Sequence, residues 1–191
     1  MGFLPTTKTV KKIDDPKNLI LFGLPKVGKT TVLSKLPGTL IIDMENGTDY
    51  IDDAYVMKAN TYVDLYKIAK ALKEEENNFK FVVLDTITAM ATIALDLAAK
   101  RYQESTLGRN WQGTGKDILF LPMGAGYAWQ KKALEEIIGW FTSDKYNLVI
   151  TGHVKDKNLS EAGTELVVKQ LDLSGNTANV LAANSDAIAY L

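Results

Sequence analysis

Short, almost wholly apolar runs alternate along this chain with longer stretches in which apolar residues recur at helical spacing. The apolar runs have the length of strands and occupy residues 18–23, 38–44, 79–85, 146–152 and 185–191. A strand that is apolar on both faces is typical of a parallel sheet with helices on each side. The alternation therefore predicts an α/β fold with a mostly parallel sheet flanked by helices.

The intervening stretches predict helices over residues 29–36, 62–75, 87–102 and 127–141. In the second of these, one face collects apolar residues, and we expect that face to be buried: Val63, Tyr66, Ala69 and Leu72. Helices between strands serve as the crossover connections that parallel strands require.

Two segments fit neither pattern. Residues 105–126 are rich in glycine and aromatic residues and predict a long loop, whereas residues 154–178 predict a β-hairpin near the C-terminus, with its turn near Glu161–Thr164. We expect one domain over residues 1–191, with residues 1–17 as an N-terminal strand or tail. The last apolar run has no polar tail after it, which is compatible with a natural chain that continues further.

The run GLPKVGKTT lies between the first predicted strand and the first predicted helix. It has the spacing G-x-x-x-x-G-K-T of a phosphate-binding loop, whose glycines let backbone N–H groups turn toward a β-phosphate. The following helix would direct its positive end at the same phosphate. Lys29 would reach the β- and γ-phosphates, and the Thr30 hydroxyl would face Mg²⁺. We expect the whole run to contact a nucleotide: Gly23, Leu24, Pro25, Lys26, Val27, Gly28, Lys29, Thr30 and Thr31.

Asp85 follows the apolar run FKFVVL at the carboxyl end of a predicted strand. In a parallel sheet this position should lie beside the phosphate loop, where ligands bind. We predict that Asp85 holds Mg²⁺ through water, with assistance from Thr86. The alternative is that Asp85 caps the next helix, and the two roles can coexist.

Two further strand ends carry polar residues. Asp43 and Glu45 follow the run LII, and we select Glu45 as the general base that activates water, with Asp43 in a supporting role. The alternative is that both are ordinary surface acids. His153, the sole histidine, follows the run NLVITG and could contact the γ-phosphate or the attacking water. Its alternative is an ordinary surface or core histidine.

The order of these elements resembles that of RecA-fold ATPases: a phosphate loop, an IDxE strand end, VVLDT, and a strand that ends in a polar residue. With TGHVKDK and LSGNTANVLAANSDAIAYL, the chain is similar to the compact phage-borne RecA-like ATPases of the single-strand-annealing recombinase group. The resemblance implies a RecA-like P-loop NTPase fold, ATP and Mg²⁺ as cofactors, and a ring or filament of identical subunits. It also implies that Glu45 is the catalytic base, Asp85 the metal acid and His153 the γ-phosphate sensor.

The chain departs from that family in three respects. Histidine replaces the usual glutamine at the sensor position, and the N-terminal polymerisation element is missing or reduced to MGFLPTTKTV. No arginine follows residue 109. A cation supplied to a neighbouring subunit would therefore be Lys155, Lys157 or Lys169, or would lie beyond the sequence.

The resemblance also implies that residues 105–126 and 154–178 line single-stranded DNA. Cations and flat aromatic rings among glycines suit backbone tracking and base stacking. The candidate contacts are Arg109, Trp111, Lys116, Lys155 and Lys157. The alternative for each aromatic residue, taken singly, is a place in the core.

Composition limits the kinds of binding surface, metal site and cellular compartment that we expect. Lys and Arg total 22 against 23 Asp and Glu, so any DNA-binding surface must be a local patch. The absence of cysteine excludes disulfides and thiolate metal sites and favours a reducing compartment. There is no apolar run of membrane length, so we expect a cytoplasmic protein without a membrane partner, in a bacterial host if phage-encoded.

These observations favour Mg²⁺-dependent ATP hydrolysis coupled to single-stranded DNA binding, in phage-type recombination, annealing or replication. A small-molecule P-loop kinase is the first alternative, although such enzymes use several arginines and this chain has only Arg101 and Arg109. A hexameric helicase or packaging motor is the second. A nucleotide-dependent binding module with negligible turnover is the third.

Overall fold

The computed structural model describes residues 16–161, 164–174 and 177–191. Its strands are β1 (Asn18–Gly23), β2 (Thr39–Asp43), β3 (Tyr55–Lys58), β4 (Phe81–Asp85), β5 (Asn147–Glu161), β6 (Thr164–Leu171) and β7 (Ala187–Tyr190). Its α-helices are α1 (Lys29–Ser34), α2 (Tyr62–Glu74), α3 (Ile87–Glu104), α4 (Ala125–Phe141) and α5 (Thr177–Ala183). Two 3-10 helices cover Gly115–Phe120 and Pro122–Gly124. The predicted N-terminal strand or tail lies almost wholly outside the described residues.

The strands form one seven-stranded sheet in the order β3-β2-β4-β5-β1-β7, with β6 paired to β5 alone. The β5–β6 pair is antiparallel and the pairs along the main path are parallel. The prediction of a mostly parallel sheet flanked by helices is therefore confirmed. Strand β5 belongs to both parts, because it pairs with β4 up to Ile150, with β1 up to His153 and with β6 from Val154 onward.

The sheet separates two apolar layers. The larger layer packs α2, α3, α4 and α5 against one face, and the smaller layer packs α1 against the other. Along β2, Leu40 and Ile42 point into the larger layer and Ile41 points into the smaller one. This alternation is the period of two that a strand imposes, and it explains why strands buried on both faces are apolar throughout.

The structure corrects the predicted burial of α2. Val63 is 40% exposed and Tyr66 is 52% exposed, whereas Leu65 and Ile68 join the predicted Ala69 and Leu72 in the core. Both sets of residues have helical spacing, so the pattern alone supports either face. Packing against α3 and α4 selects the aliphatic stripe.

The structure also corrects the secondary structure of three segments. The edge strand β3 was not predicted, because its sequence YVMK is largely exposed and lacks a continuous apolar run. The hairpin ends at Leu171, and the helix α5 begins within the segment predicted as its second strand. Residues 105–126 are not one long loop, since two 3-10 helices form there and Ile118 is fully buried against the core.

The described residues include no helix with the combined length and apolar character that a membrane crossing requires.

Helix α4 offers a matched test of this packing. A Cβ atom added at Gly126 would lie 1.9 Å from the carbonyl oxygen of Ile118, whereas one added at Gly139 would meet no atom within 4 Å. We expect Gly126→Ala to lower the free energy of unfolding by about 1–3 kcal/mol, because the 3-10 backbone must shift. Gly139→Ala should raise it by about 0.5–1 kcal/mol, because alanine favours the helix.

Chemical denaturation of the two variants beside the wild type provides the measurement. Equal effects of the two substitutions would show that the 3-10 segment does not pack tightly against α4.

Candidate functional site

The loop between β1 and α1 has the backbone conformation that its glycines predict. Gly28 has φ 98°, in the left-handed region, immediately before α1 begins. Gly23 is the last residue of β1, and a Cβ atom added there would lie 2.3 Å from the backbone oxygen of Leu191, the residue after β7. Only glycine therefore fits at this position. Residues 24–27 are exposed, which leaves the loop open to a ligand at the carboxyl edge of the sheet.

Lys29 lies in this loop with 5% of its surface exposed. Its ammonium group donates hydrogen bonds to the carbonyl oxygens of Gly23, at 3.1 Å, and Leu24, at 2.8 Å. Burial lowers the pKa of Lys29, and the nearby carboxylates of Asp85 and Glu45 partly offset that effect. The lysine is therefore within electrostatic range of both acids.

Asp85 is held on both of its carboxylate oxygens. The Thr30 hydroxyl donates to Oδ2 at 2.6 Å, and the hydroxyl of the fully buried Thr151 donates to Oδ1. The Asp85 carboxylate thus lies beside the phosphate loop, as expected, although β5 lies between β1 and β4 in the sheet. The side chains of Thr30 and Asp85 meet across that strand, and Thr151 belongs to it.

Glu45, which follows β2, contacts one residue that follows β4 and one residue of β5. Its Oε1 accepts a hydrogen bond of 2.5 Å from the Thr86 hydroxyl. The Nε2 atom of His153 lies 3.2 Å from both Oε1 and Oε2. Because β2, β4 and β5 are consecutive in the sheet, the carboxyl ends of β2 and β4 and the end of the parallel part of β5 bring the three side chains together.

Asp43 faces its own loop and not the phosphate side. It accepts hydrogen bonds from the backbone N–H groups of Glu45, Gly47 and Thr48 and from the Thr48 hydroxyl. Burial would raise the pKa of Asp43, but these hydrogen bonds outweigh burial and leave the pKa below its usual value. The carboxylate thereby shapes the turn that presents Glu45.

The sequence left open whether Asp85 caps the helix that follows β4, and the structure answers this question. The residue that caps α3 is Thr86 and not Asp85, since the Thr86 side chain accepts a hydrogen bond from the backbone of Ala89 at 3.3 Å. Asp85 is thus the last residue of β4, and its carboxylate is committed to Thr30 and Thr151.

The candidate DNA contacts fall into two groups. Arg109, Lys116 and Lys157 are exposed. Trp111 is half-buried and packs edge-on against Tyr102, with 5.4 Å between ring centroids. The ammonium group of Lys155 donates to the carbonyl oxygen of Leu173 and lies 3.4 Å from the carboxylate of Asp172. Contacts within the fold therefore explain the positions of the Trp111 and Lys155 side chains.

Two residues of the site have contacts that the sequence did not indicate. Thr151 was not selected, although it is a polar residue inside an apolar strand and lies two positions before His153. Residues i and i+2 of a strand share a face, so the position of His153 was a signal for Thr151. Thr86 was expected to assist a metal, but its hydroxyl contacts Glu45.

The comparison with known families agrees with this geometry. A family model described as AAA domain matches residues 15–191. A comparison with curated proteins gives no match. A domain of this family indicates nucleotide binding and nucleoside-triphosphate hydrolysis in general, which fits a phosphate loop that faces two carboxylates. The chain therefore belongs to the AAA domain family, and its fold is that of an α/β P-loop NTPase.

Proposed function

We propose that this protein is a Mg²⁺-dependent ATPase in which Glu45 is the general base. The observation that carries the proposal is the position of the Glu45 carboxylate, which lies between Thr86 and His153 at the same sheet edge as Asp85. In the proposed reaction Glu45 orients a water molecule for in-line attack on the γ-phosphate and accepts its proton. Lys29 offsets the negative charge that develops on the phosphate oxygens.

The residues around Asp85 fit Mg²⁺. Thr30 and Asp85 supply a hydroxyl and a carboxylate, the hard oxygen ligands that Mg²⁺ prefers, and their oxygens lie 2.6 Å apart. When bound, Mg²⁺ would be held by Thr30 and Asp85 and would offset the negative charge of the phosphate groups. The hydroxyl of Thr151 would keep the Asp85 carboxylate oriented.

His153 is the proposed γ-phosphate sensor. It stands at the point where β5 leaves the parallel sheet and enters the hairpin, and its Nε2 atom is already in contact with Glu45. A phosphate that attracts Nε2 would therefore alter the environment of the base. The buried Nδ1 atom has no partner among the described residues, so the ring is held mainly through Nε2.

We further propose that hydrolysis is coupled to single-stranded DNA in phage-type recombination, annealing or replication, within a ring or filament of identical subunits. The support is the resemblance to RecA-like ATPases together with the exposed cations Arg109, Lys116 and Lys157. For a cation supplied to a neighbouring subunit, Lys157 is the best of the three lysines. Lys155 and Lys169 are paired with Asp172 and Asp156 of their own chain.

The kinase alternative loses support from the position of Arg101. Its guanidinium donates to Glu136 at 3.0 and 2.6 Å and to Glu104 at 2.7 Å. Since Arg101 and Arg109 are the only arginines of the sequence, only Arg109 would remain to clamp a second phosphorylated ligand. Release of free phosphate, without a phosphorylated acceptor, would distinguish the ATPase from a kinase.

Glu45→Gln tests the proposed base. The amide keeps the shape of the side chain but cannot accept the proton, so we expect turnover to fall by a factor of about 10²–10⁴. Nucleotide affinity should remain within a few-fold of the wild type, because the contacts of the loop are intact. Phosphate release and fluorescent-nucleotide binding, measured on the same preparations, give both quantities.

A Glu45→Gln variant with wild-type turnover would exclude Glu45 as the base. Loss of both binding and turnover would indicate damage to the nucleotide cradle and would also contradict the proposed role.

Thr151→Val tests the proposed metal acid. Valine has the shape of threonine but removes the hydroxyl that orients Asp85, so the Mg²⁺ concentration for half-maximal turnover should rise by about 10-fold. Thr142→Val is the matched control, since Thr142 is exposed and its hydroxyl donates to the carbonyl oxygen of Ile138, at 3.2 Å, away from Asp85. A Mg²⁺ requirement that is the same in both variants would contradict the proposed role of Thr151 in orienting Asp85 for the metal.

The combined variant Arg109→Ala/Lys116→Ala tests DNA coupling. We expect oligothymidine to stimulate wild-type turnover and to bind the variant more weakly. The slope of log affinity against log salt should become shallower by about 0.7 for each DNA phosphate that the variant no longer neutralises. Lys70→Ala, which removes an exposed lysine of α2, is the control for a general loss of positive charge. Equal salt slopes in the variant and control would contradict the assigned DNA surface.

A further inference from the structure

We propose that Thr86 is a positioning residue for the general base: its hydroxyl fixes one oxygen of Glu45 and leaves the other to receive the proton of water. This inference rests on the proposed function, because it needs Glu45 to be the base. It replaces the role in metal binding that the sequence suggested for Thr86.

The direction of the hydrogen bond follows from the contacts of Thr86. The side chain is 3% exposed, and its Oγ1 accepts the backbone N–H of Ala89 at 3.3 Å as the cap of α3. A hydroxyl has a single proton, and with the Ala89 N–H on one lone pair that proton points to Oε1 of Glu45, at 2.5 Å. The first turn of α3 therefore orients the hydroxyl that holds the base.

The two oxygens of Glu45 consequently differ. Oε1 receives the Thr86 proton and also lies 3.2 Å from Nε2 of His153. For Oε2, the contact with His153 at 3.2 Å is the sole polar contact within the described part of the chain. A carboxylate oxygen has two lone-pair sites, so Oε2 is the oxygen that can accept the proton of a water molecule.

The threonines of the site divide between its two acids. Thr30 and Thr151 donate to Asp85, on the metal side, whereas Thr86 donates to Glu45. Thr86 adjoins Asp85 in sequence, yet its hydroxyl is already used by Glu45 and Ala89. Removal of this hydroxyl should therefore affect proton transfer and leave nucleotide and metal binding in place.

Thr86→Val is the principal test. Because a misplaced catalytic group loses about 10²-fold for a shift of 1 Å, we expect kcat to fall by about 10–100-fold with KM for ATP within a few-fold of the wild type. Thr86→Ser should restore most of kcat, since serine both caps a helix and donates the same hydrogen bond. Thr86→Asp caps α3 but has no proton to donate at neutral pH, so its turnover should be at least as low as that of the valine variant.

Loss of the helix cap needs its own control. Thr61 caps α2 in the same manner, with its side chain accepting from Asp64 at 3.1 Å, and it has no contact with Glu45 or Asp85 among the described residues. Thr61→Val should lower the melting temperature much as Thr86→Val does while kcat stays at the wild-type value. If Thr86→Val does not fold, the serine and aspartate variants carry the test.

A double-mutant cycle identifies the route of the effect. In the Glu45→Gln background, Thr86→Val should reduce the residual turnover by less than twofold, because the base through which Thr86 acts is already absent. An equal reduction in both backgrounds would overturn the inference, as would wild-type turnover in the aspartate variant or a serine variant as slow as the valine one. If Glu45→Gln alone keeps full turnover, the proposed function fails; if it loses turnover while Thr86→Val matches Thr61→Val, only this inference fails.

Discussion

The site depends on one buried carboxylate that needs a hydrogen-bond donor for each of its oxygens. Asp85 is 7% exposed, and an unpartnered charge in that position would be costly. Its two donors come from different parts of the fold, Thr30 from the first turn of α1 and Thr151 from β5. The same contacts therefore fix the phosphate loop to the centre of the sheet across an intervening strand.

Strand β5 connects this site to the hairpin without a break. Thr151 contacts Asp85 and His153 contacts Glu45, and the next residue, Val154, already pairs with Leu171 of β6. Gly152 lies between Thr151 and His153, and a Cβ atom added there would lie 2.2 Å from the Leu171 side chain. Strand β6 therefore packs closely behind the site. A displacement of the hairpin would therefore move His153 relative to Glu45, which gives the proposed DNA coupling a direct physical route.

The sequence predicts the parts of this molecule in which one physical rule dominates. Parallel strands buried on both faces are apolar, and polar residues at their carboxyl ends converge, so the residues at 29, 45, 85 and 153 could be selected in advance. The rule does not extend to β3, whose edge position removes the apolar signal, or to α2, where two stripes fit the helical period. It also does not reveal which acid a threonine hydroxyl contacts. Thr86 adjoins Asp85 in the sequence, but in the folded structure its hydroxyl contacts Glu45.

The formal charges of the site explain why the proposed activity requires a divalent cation. Asp85 and Glu45 face the loop, and Lys29 is the cation that approaches both of them. The groups that hold the two acids are threonine hydroxyls and a histidine, and none of them adds a permanent positive charge. A triphosphate brings several more negative charges to the same edge, and their repulsion adds to that between the two acids. The oxygen pair of Thr30 and Asp85 joins one of the acids to the end of the phosphate loop, so a cation held there would reduce that repulsion.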